Sequence, residues 1–275
     1  MAALVYWILS SVSWRDEPPP RQSKYGLPLP PECHATLTLE ELAGRPVFVV
    51  GDVHGCFEEL SLLLQAARRL QKNPFIIFVG DAINKGPRNI DVLRLVKEMK
   101  DSGQAMIVRG NHEETVLREL WALRINPRYE LPERYQWLRK LTEDDFWFLQ
   151  KLPYTIYIPS KRSVVVHAGF VPGLPYDQQS LEDLTHMRNI IQEDVFFGRG
   201  LVGTSKIDNG VPWASLWPGP EHVYFGHDAR RGFQRWPHAT GLDTGCLYGN
   251  NLTGVFIGSE DLPVSVSALD MYVSP

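Results

Sequence analysis

The stretch FVVGDVHGCFEEL, Phe48 to Leu60, runs from an apolar strand pattern into Gly-Asp-Val-His-Gly and then into the start of an amphipathic pattern. Asp52 and His54 stand one residue apart. Side chains alternate between faces along an extended segment, so both polar groups project to the same side where the strand ends. A carboxylate oxygen and an imidazole nitrogen on one side are either an ordinary turn or the first two ligands of a metal site, and the segments downstream decide between them.

From Pro46 onward short β-branched or aromatic runs alternate with amphipathic ones. PVFVV reads as a buried strand, EELSLLLQAARRL as a helix with Leu60, Leu63, Leu64 and Ala67 on one face, PFIIFV as a second strand, NIDVLRLVKEMK as a second helix and AMIV as a third strand. This βαβ rhythm predicts an α/β domain with a mostly parallel sheet and ligands at the carboxyl ends of its strands. All three ends are polar: GDVHG, GDAINKGP from Gly80 and RGNHEE from Arg109. Asp52, Asp81 and Asn111 recur at intervals of 29 (81 − 52) and 30 (111 − 81) residues, each about one strand-helix unit. SVVVHAG then places His167, and HVYFGHDAR places His227, at the ends of further β-rich runs. Any one of these pieces alone is more often a turn or a hydrogen-bonded rim histidine. Five in order, each beside glycine, point to one site with an oxygen and nitrogen ligand set suited to divalent Mn, Fe or Zn.

Bulk composition narrows the classes. The chain has 275 residues, 44% of them hydrophobic, enough for a full core. Its 28 Lys and Arg against 32 Asp and Glu give a net charge of −4. No overall basic field attracts duplex nucleic acid or an anionic membrane, so an anionic substrate has to be drawn in locally. Cys33, Cys56 and Cys246 follow neither a zinc-ribbon nor a disulfide spacing, which favours a reducing compartment or simply buried thiols, and the localisation expected is cytoplasmic. The apolar run Ala2 to Trp14 is shorter than the roughly 20 residues of a membrane-spanning helix and lacks a basic flank. It reads as a packed extension, with an organelle-targeting or membrane-anchoring segment as the alternative. A Pro-rich linker, Pro18 to Pro31, follows, so that residues 1–44 read as extension and linker and 45–275 as the main domain.

The five motifs GDVHG, GDAINKG, GNHE, VVVHAG and GHD resemble, in order, those of the calcineurin-like metallophosphoesterases. NKGP, RGNHE, GHDA and LDTGCLYG are most similar to the diadenosine-tetraphosphatase-like (ApaH-like) branch. The resemblance spans roughly Val47 to Gly258. It implies a four-layer α-β-β-α sandwich with a small helical cap at about 115–152, and hydrolysis of phosphoanhydrides: dinucleoside tetraphosphate, inorganic polyphosphate or capped RNA. It also implies two divalent ions (Mn, Zn, Fe or Co), one held by Asp52, His54, Asp81 and His227, the other by Asp81, Asn111, His167 and the His227 loop. Paired ions polarise a phosphoryl group and offset charge during in-line attack. His112 is then the general acid, Lys85 and Arg188 bind substrate, and Asp243 and Thr244 brace the metal loops.

Departures from the family sharpen the expectation. Protein Ser/Thr phosphatases read Gly-Asp-x-Val-Asp-Arg-Gly at the second motif, where this chain has Asn84 and Lys85. An asparagine does not stabilise an imidazolium as an aspartate does, and lysine is a point charge in place of a fork, a better match to a flexible phosphate chain. A serine/threonine phosphatase remains the alternative enzyme, and a non-catalytic binding platform the alternative from another class. Tyr248 lines the pocket or packs in the core. Arg124, Arg128, Arg134, Arg139 and Lys140 of the cap either form a solvated face or favour a long anion. Cap Trp and Phe residues at helical spacing read as core, and Arg109 is left outside the site.

Overall fold

The computed structural model describes residues 23, 25–195, 198–258 and 262–275. The apolar run 2–14 and part of the Pro-rich linker lie outside the described residues. Among the described residues no helix is long and apolar enough to cross a membrane.

The expected βαβ units are present. Strands Val47–Val50, Phe75–Phe78 and Ala105–Ile107 pair in parallel, with Val47 opposite Phe75 and Ile76 opposite Ala105, joined by helices Phe57–Leu70 and Asn89–Asp101. Asn251–Phe256 adds antiparallel to Val47–Val50, and Pro263–Ser267 completes this five-stranded sheet. The second sheet departs from a parallel arrangement. In its six strands, ordered His34–Thr36, Thr155–Ile158, Ser163–Val166, His222–Phe225, Ala239–Gly241 and Gln234–Trp236, parallel and antiparallel pairs mix. Short hairpin connections, such as the turn between Ile158 and Ser163, force antiparallel neighbours there.

Why the central strands are apolar on both faces follows from what each face meets. Val47 and Val49 pack with Ile156, Ile158, Val165 and Tyr224 between the two sheets. Phe48 and Val50 point the other way, onto Leu60, Leu63, Leu64, Ala67 and Val92 of the helices. Across the molecule Val164, Val166, Val223 and Phe225 meet Leu184 and Trp213, from the short helices Leu181–His186 and Trp213–Leu216, and Met187 just after the first of them. The result is four layers, helix, sheet, sheet and helix, and strands enclosed on both faces read as continuous apolar runs. Each such side chain contributes about 1.5–3 kcal/mol by leaving water.

One boundary needs correction. His34–Thr36 pairs in parallel with Thr155–Ile158, and Leu37 and Leu42 sit in the core between the sheets, so the folded unit begins before residue 45. A strand reading His-Ala-Thr has no β-branched run to announce it. Between 111 and 150 lie helix Asn111–Ile125, a 3-10 run Glu133–Lys140 and helix Glu143–Gln150. Phe146 is buried there and Trp121 rests on it edge-to-face at 5.3 Å, as core aromatics do.

Candidate active site

Asp81, at the end of the Phe75–Phe78 strand, is the centre of the polar rim. Its carbonyl accepts from the backbone N–H of Val53 (3.2 Å) and His54 (2.8 Å), tying the first motif to the second. Its Oδ1 accepts from the backbone N–H of His112 (2.8 Å), in the first turn of helix Asn111–Ile125, where free amides favour an anion. Its Oδ2 faces three imidazoles: His167 Nε2 at 3.4 Å, His54 Nε2 at 3.7 Å and His112 Nε2 at 4.0 Å. Both flanking loops come close. A Cβ on Gly110 would lie 2.2 Å from Asp81 Oδ1, and one on Gly226 would lie 2.0 Å from Asp52 Oδ1, so only glycine fits at either place.

Backbone partners set the histidine tautomers. His167 Nδ1–H donates to the Val79 carbonyl (2.9 Å), leaving Nε2 2.9 Å from Asn111 Oδ1. His227 Nε2–H donates to the His186 carbonyl (2.9 Å), leaving Nδ1 3.0 Å from the same oxygen. Two neutral rings would therefore aim lone pairs at one amide oxygen beside a carboxylate, an arrangement that repels until a cation or a proton stands among them. This donor set fits a borderline divalent ion.

The candidate donor side chains fall into two groups. Side-chain atoms of Asp81, His167 and His227 lie within 4.8 Å of one another, as do those of His54, Asp81 and His112. His227 reaches Asp52 only through its backbone N–H, 3.2 Å from each carboxylate oxygen, while its ring joins Asn111 and His167. The φ of His227, +67°, turns the chain so that amide and ring face opposite groups. Of the eight non-glycine residues with positive φ among the described residues, five belong to this rim: His54, Asp81, Asn84, Lys85 and His227. Such conformations cost on the order of 1–3 kcal/mol each and persist where the surroundings enforce them.

The electrostatics are those of a desolvated, carboxylate-rich floor. Burial, reinforced by Asp243 and Asp81, pushes Asp52 well above the usual carboxylate range. Burial raises Asp243 to about 6, and burial with the Asp81 charge raises Glu113 to about 7. Burial also drives His54 down to about 3 and His112 to about 4. For Asp81 burial again opposes charge, but His167 and His112 outweigh it and hold the carboxylate ionised; His167 is raised in turn because Asp81 outweighs its burial. Clustered carboxylates that resist joint ionisation are what a bound cation relieves.

Apart from Thr244, whose hydroxyl donates to the Asn251 carbonyl (2.6 Å), the remaining expected residues fall in one cavity of about 540 Å³, lined by Asp52, His54, Asp81, Asn111, His112, His227, Lys85, Arg188, Asp243 and Tyr248 among others. Asn84 Oδ1 accepts from the Lys85 backbone N–H (3.0 Å), which leaves its amide to donate to His112 Nδ1 (2.8 Å). A neutral His112 then carries its proton on Nε2. Arg188 lines the cavity, though two of its donors serve the carbonyls of His227 (3.0 Å) and Ser205 (3.2 Å). Asp243 Oδ1 accepts from Gly245 N–H (3.1 Å), bracing its own loop. Tyr248 also lines the cavity, its hydroxyl 3.4 Å from Lys85 Nζ. Arg109 is fully buried against Glu114 (3.0 Å) and is structural.

Two side chains escaped the sequence reading. Glu113 is completely buried and accepts from the backbone N–H groups of Asp81 (2.8 Å), Ala82 (2.9 Å) and Gly110 (2.9 Å), clamping the second motif to the third. The capping-box position, three residues after Gly110, was its signal. Asp228, beside His227, is buried and pairs with Arg231, its Oδ1 3.8 Å from Arg188 Nε. It is the aspartate of the GHD motif, which was read only for its histidine.

A helix-sheet-sheet-helix fold with Asp, Asn and His side chains converging at strand ends defines a class of metal-dependent hydrolases. More narrowly, the family profile Calcineurin-like phosphoesterase matches residues 45–250, and the chain belongs to that family. It is an enzyme of the metallophosphoesterase type. It is 25% identical to the asymmetrical bis(5'-nucleosyl)-tetraphosphatase PrpE of Bacillus subtilis, over 75% of this chain and 88% of that one. It is 28% identical to serine/threonine-protein phosphatase 1 of Salmonella typhimurium, over 76% and 90%. A crystal structure of a "putative diadenosine tetraphosphatase" superposes with a TM-score of 0.73 at 35% identity, covering 87% of this chain and 99% of that one.

Proposed function

We propose that this enzyme hydrolyses phosphoanhydride bonds, with a dinucleoside tetraphosphate as leading substrate and inorganic polyphosphate or a capped RNA end as further members of the class. Two divalent ions would be held, one by Asp52, His54 and Asp81, the other by Asp81, Asn111, His167 and His227. The observation that carries this reading is the convergence of three imidazoles within 4.0 Å of Asp81 Oδ2 on the floor of a cavity that also holds Lys85. The names of relatives support the substrate, since both asymmetrical and symmetrical bis(5'-nucleosyl)-tetraphosphatases match, the latter from Coxiella burnetii at 25% identity.

Ions at these residues would supply polarisation of the phosphoryl group and a water acidic enough to attack near neutral pH. The protein's own groups do the rest. His112, neutral with its proton on Nε2, directs that N–H at the leaving oxygen and stabilises by a hydrogen bond the charge that develops there. Lys85 and Arg188 hold chain oxygens, and Asn84 fixes the His112 ring. Asp243 supports the metal loops by anchoring the turn at Gly245.

Incubation with Mn²⁺, Zn²⁺ or Co²⁺ and a panel of dinucleoside tetraphosphate, polyphosphate and capped RNA, with products separated by length, tests the reading. Nucleotide or shortened-chain products are expected; no turnover of any phosphoanhydride overturns it. The Salmonella relative supports a second reading as a protein phosphatase, whereas Asn84 in the usual Asp position argues against it. Competition between a phosphoserine peptide and the dinucleotide separates the two.

A further inference from the structure

A second cleft, of about 610 Å³, opens beside the ligand cavity and shares Lys85 and His112 with it. One wall is the loop from Asn84 to Arg88 with the first turn of helix Asn89–Asp101. The other is the 3-10 run of the cap, which contributes Arg134, Tyr135, Trp137 and Lys140. The charge of this cleft is lopsided. Its one acid, Asp91, is taken by Arg88, which also pairs with Glu58. Lys85, Arg134 and Lys140 form no ion pair among the described residues. Arg134 is stacked over the Tyr135 ring at 5.0 Å, which orders its guanidinium without neutralising it. In a chain of net charge −4, three uncompensated cations along one groove mark an anion path.

The other cap cations do not share this role. Arg124 pairs with Glu143 and Arg139 hydrogen-bonds Gln136, and both line a different depression. His112 stands at the junction of the two cavities. In hydrolysis water forms the new P–O bond and releases a proton to solvent, the bond to the leaving oxygen breaks, and that oxygen departs as a phosphate anion hydrogen-bonded by the His112 Nε2–H. The leaving fragment therefore begins at the junction.

Resting on the proposed function, we infer that this second cleft is the subsite for the leaving fragment, holding the phosphates beyond the cut on Lys85, Arg134 and Lys140. A substrate that ends at the scissile ester has nothing to place there.

The test compares kcat/KM for dinucleoside tetraphosphate and for inorganic tetrapolyphosphate with kcat/KM for bis(p-nitrophenyl) phosphate, which has no chain beyond the cut. In the double variant Arg134→Glu, Lys140→Glu, the ratio of each chain substrate to the short one falls about tenfold or more through KM, while Arg139→Glu leaves the ratio unchanged. An unchanged ratio in the double variant overturns the subsite. A fall confined to the dinucleotide shows that the nucleoside, not the chain, is held, and also overturns it. Calorimetric binding of inorganic tripolyphosphate to Asp81→Asn protein, with and without the double substitution, reads the cleft without turnover. Weaker binding by about tenfold is expected, and equal affinity contradicts the subsite even if the hydrolytic reading itself fails.

Discussion

The floor and the outer wall of the proposed substrate channel are built on opposite principles. On the floor Asp52, Asp81, His167 and His227 are buried, and each is fixed by a backbone amide or carbonyl. On the wall Lys85, Arg134 and Lys140 are exposed and reach the groove on flexible or singly stacked side chains. A preorganised floor needs no rearrangement as charge develops at the reacting phosphorus, so its effects appear in kcat. A screened, adaptable wall tolerates chains of different length, and its effects appear in KM and in salt dependence.

The largest expected break in that contrast is Asp81→Asn. Losing the carboxylate that faces three imidazoles lowers kcat by about a thousandfold or more, and circular dichroism shows a folded chain. Retained turnover would remove Asp81 from its central place.

Glu113→Gln comes next. A carboxamide presents an N–H where a backbone N–H already donates, so a buried clash costs about 2–4 kcal/mol of stability and displaces the Asp81 loop, lowering kcat about tenfold to a hundredfold. This residue also sets a pH signature. Its pKa in the fold is about 7, above the ordinary 4.5, so the native chain binds the extra proton. The corresponding stability is present below about pH 4.5 and is lost as pH rises through 7, on the order of 3 kcal/mol for the metal-free protein. Melting temperatures of chelator-treated protein should fall across that window, and Glu113→Gln should flatten the fall. A pH-independent gap between the two would contradict the assignment.

Lys85→Asn, which keeps a side chain tolerant of the positive φ, is the smallest. KM for phosphate chains rises about threefold to tenfold, and less at high salt. A loss in kcat instead would move Lys85 from wall to floor.

How much of this was legible in the sequence differs between the two halves of the rim. Asp52, Asp81 and Asn111 stand at the ends of parallel strands joined by helices, so their spacing repeats and the repeat can be read. His167 and His227 end strands of the mixed sheet, whose connections vary in length, and only the flanking apolar runs and the glycines point to them. The division of histidines between clusters depends on a backbone turn at His227 that no residue pattern encodes. Glu113 was overlooked because a glutamate early in a helix is ordinarily a solvated cap, and its burial arises only when the second motif folds over it. The cap cations were visible as a list but not as a groove. Separating Arg134 and Lys140 from Arg124 and Arg139 required knowing which face of the 3-10 run looks toward His112.

Elemental analysis of the purified protein, after reconstitution with Mn²⁺ and removal of excess ion, counts the ions that the rim holds. Two ions per chain are expected for the native sequence and a marked loss in Asp81→Asn, where a carboxylate serving both clusters is gone. Fewer than one ion per native chain, or an undiminished count in the variant, would contradict the proposed two-ion site.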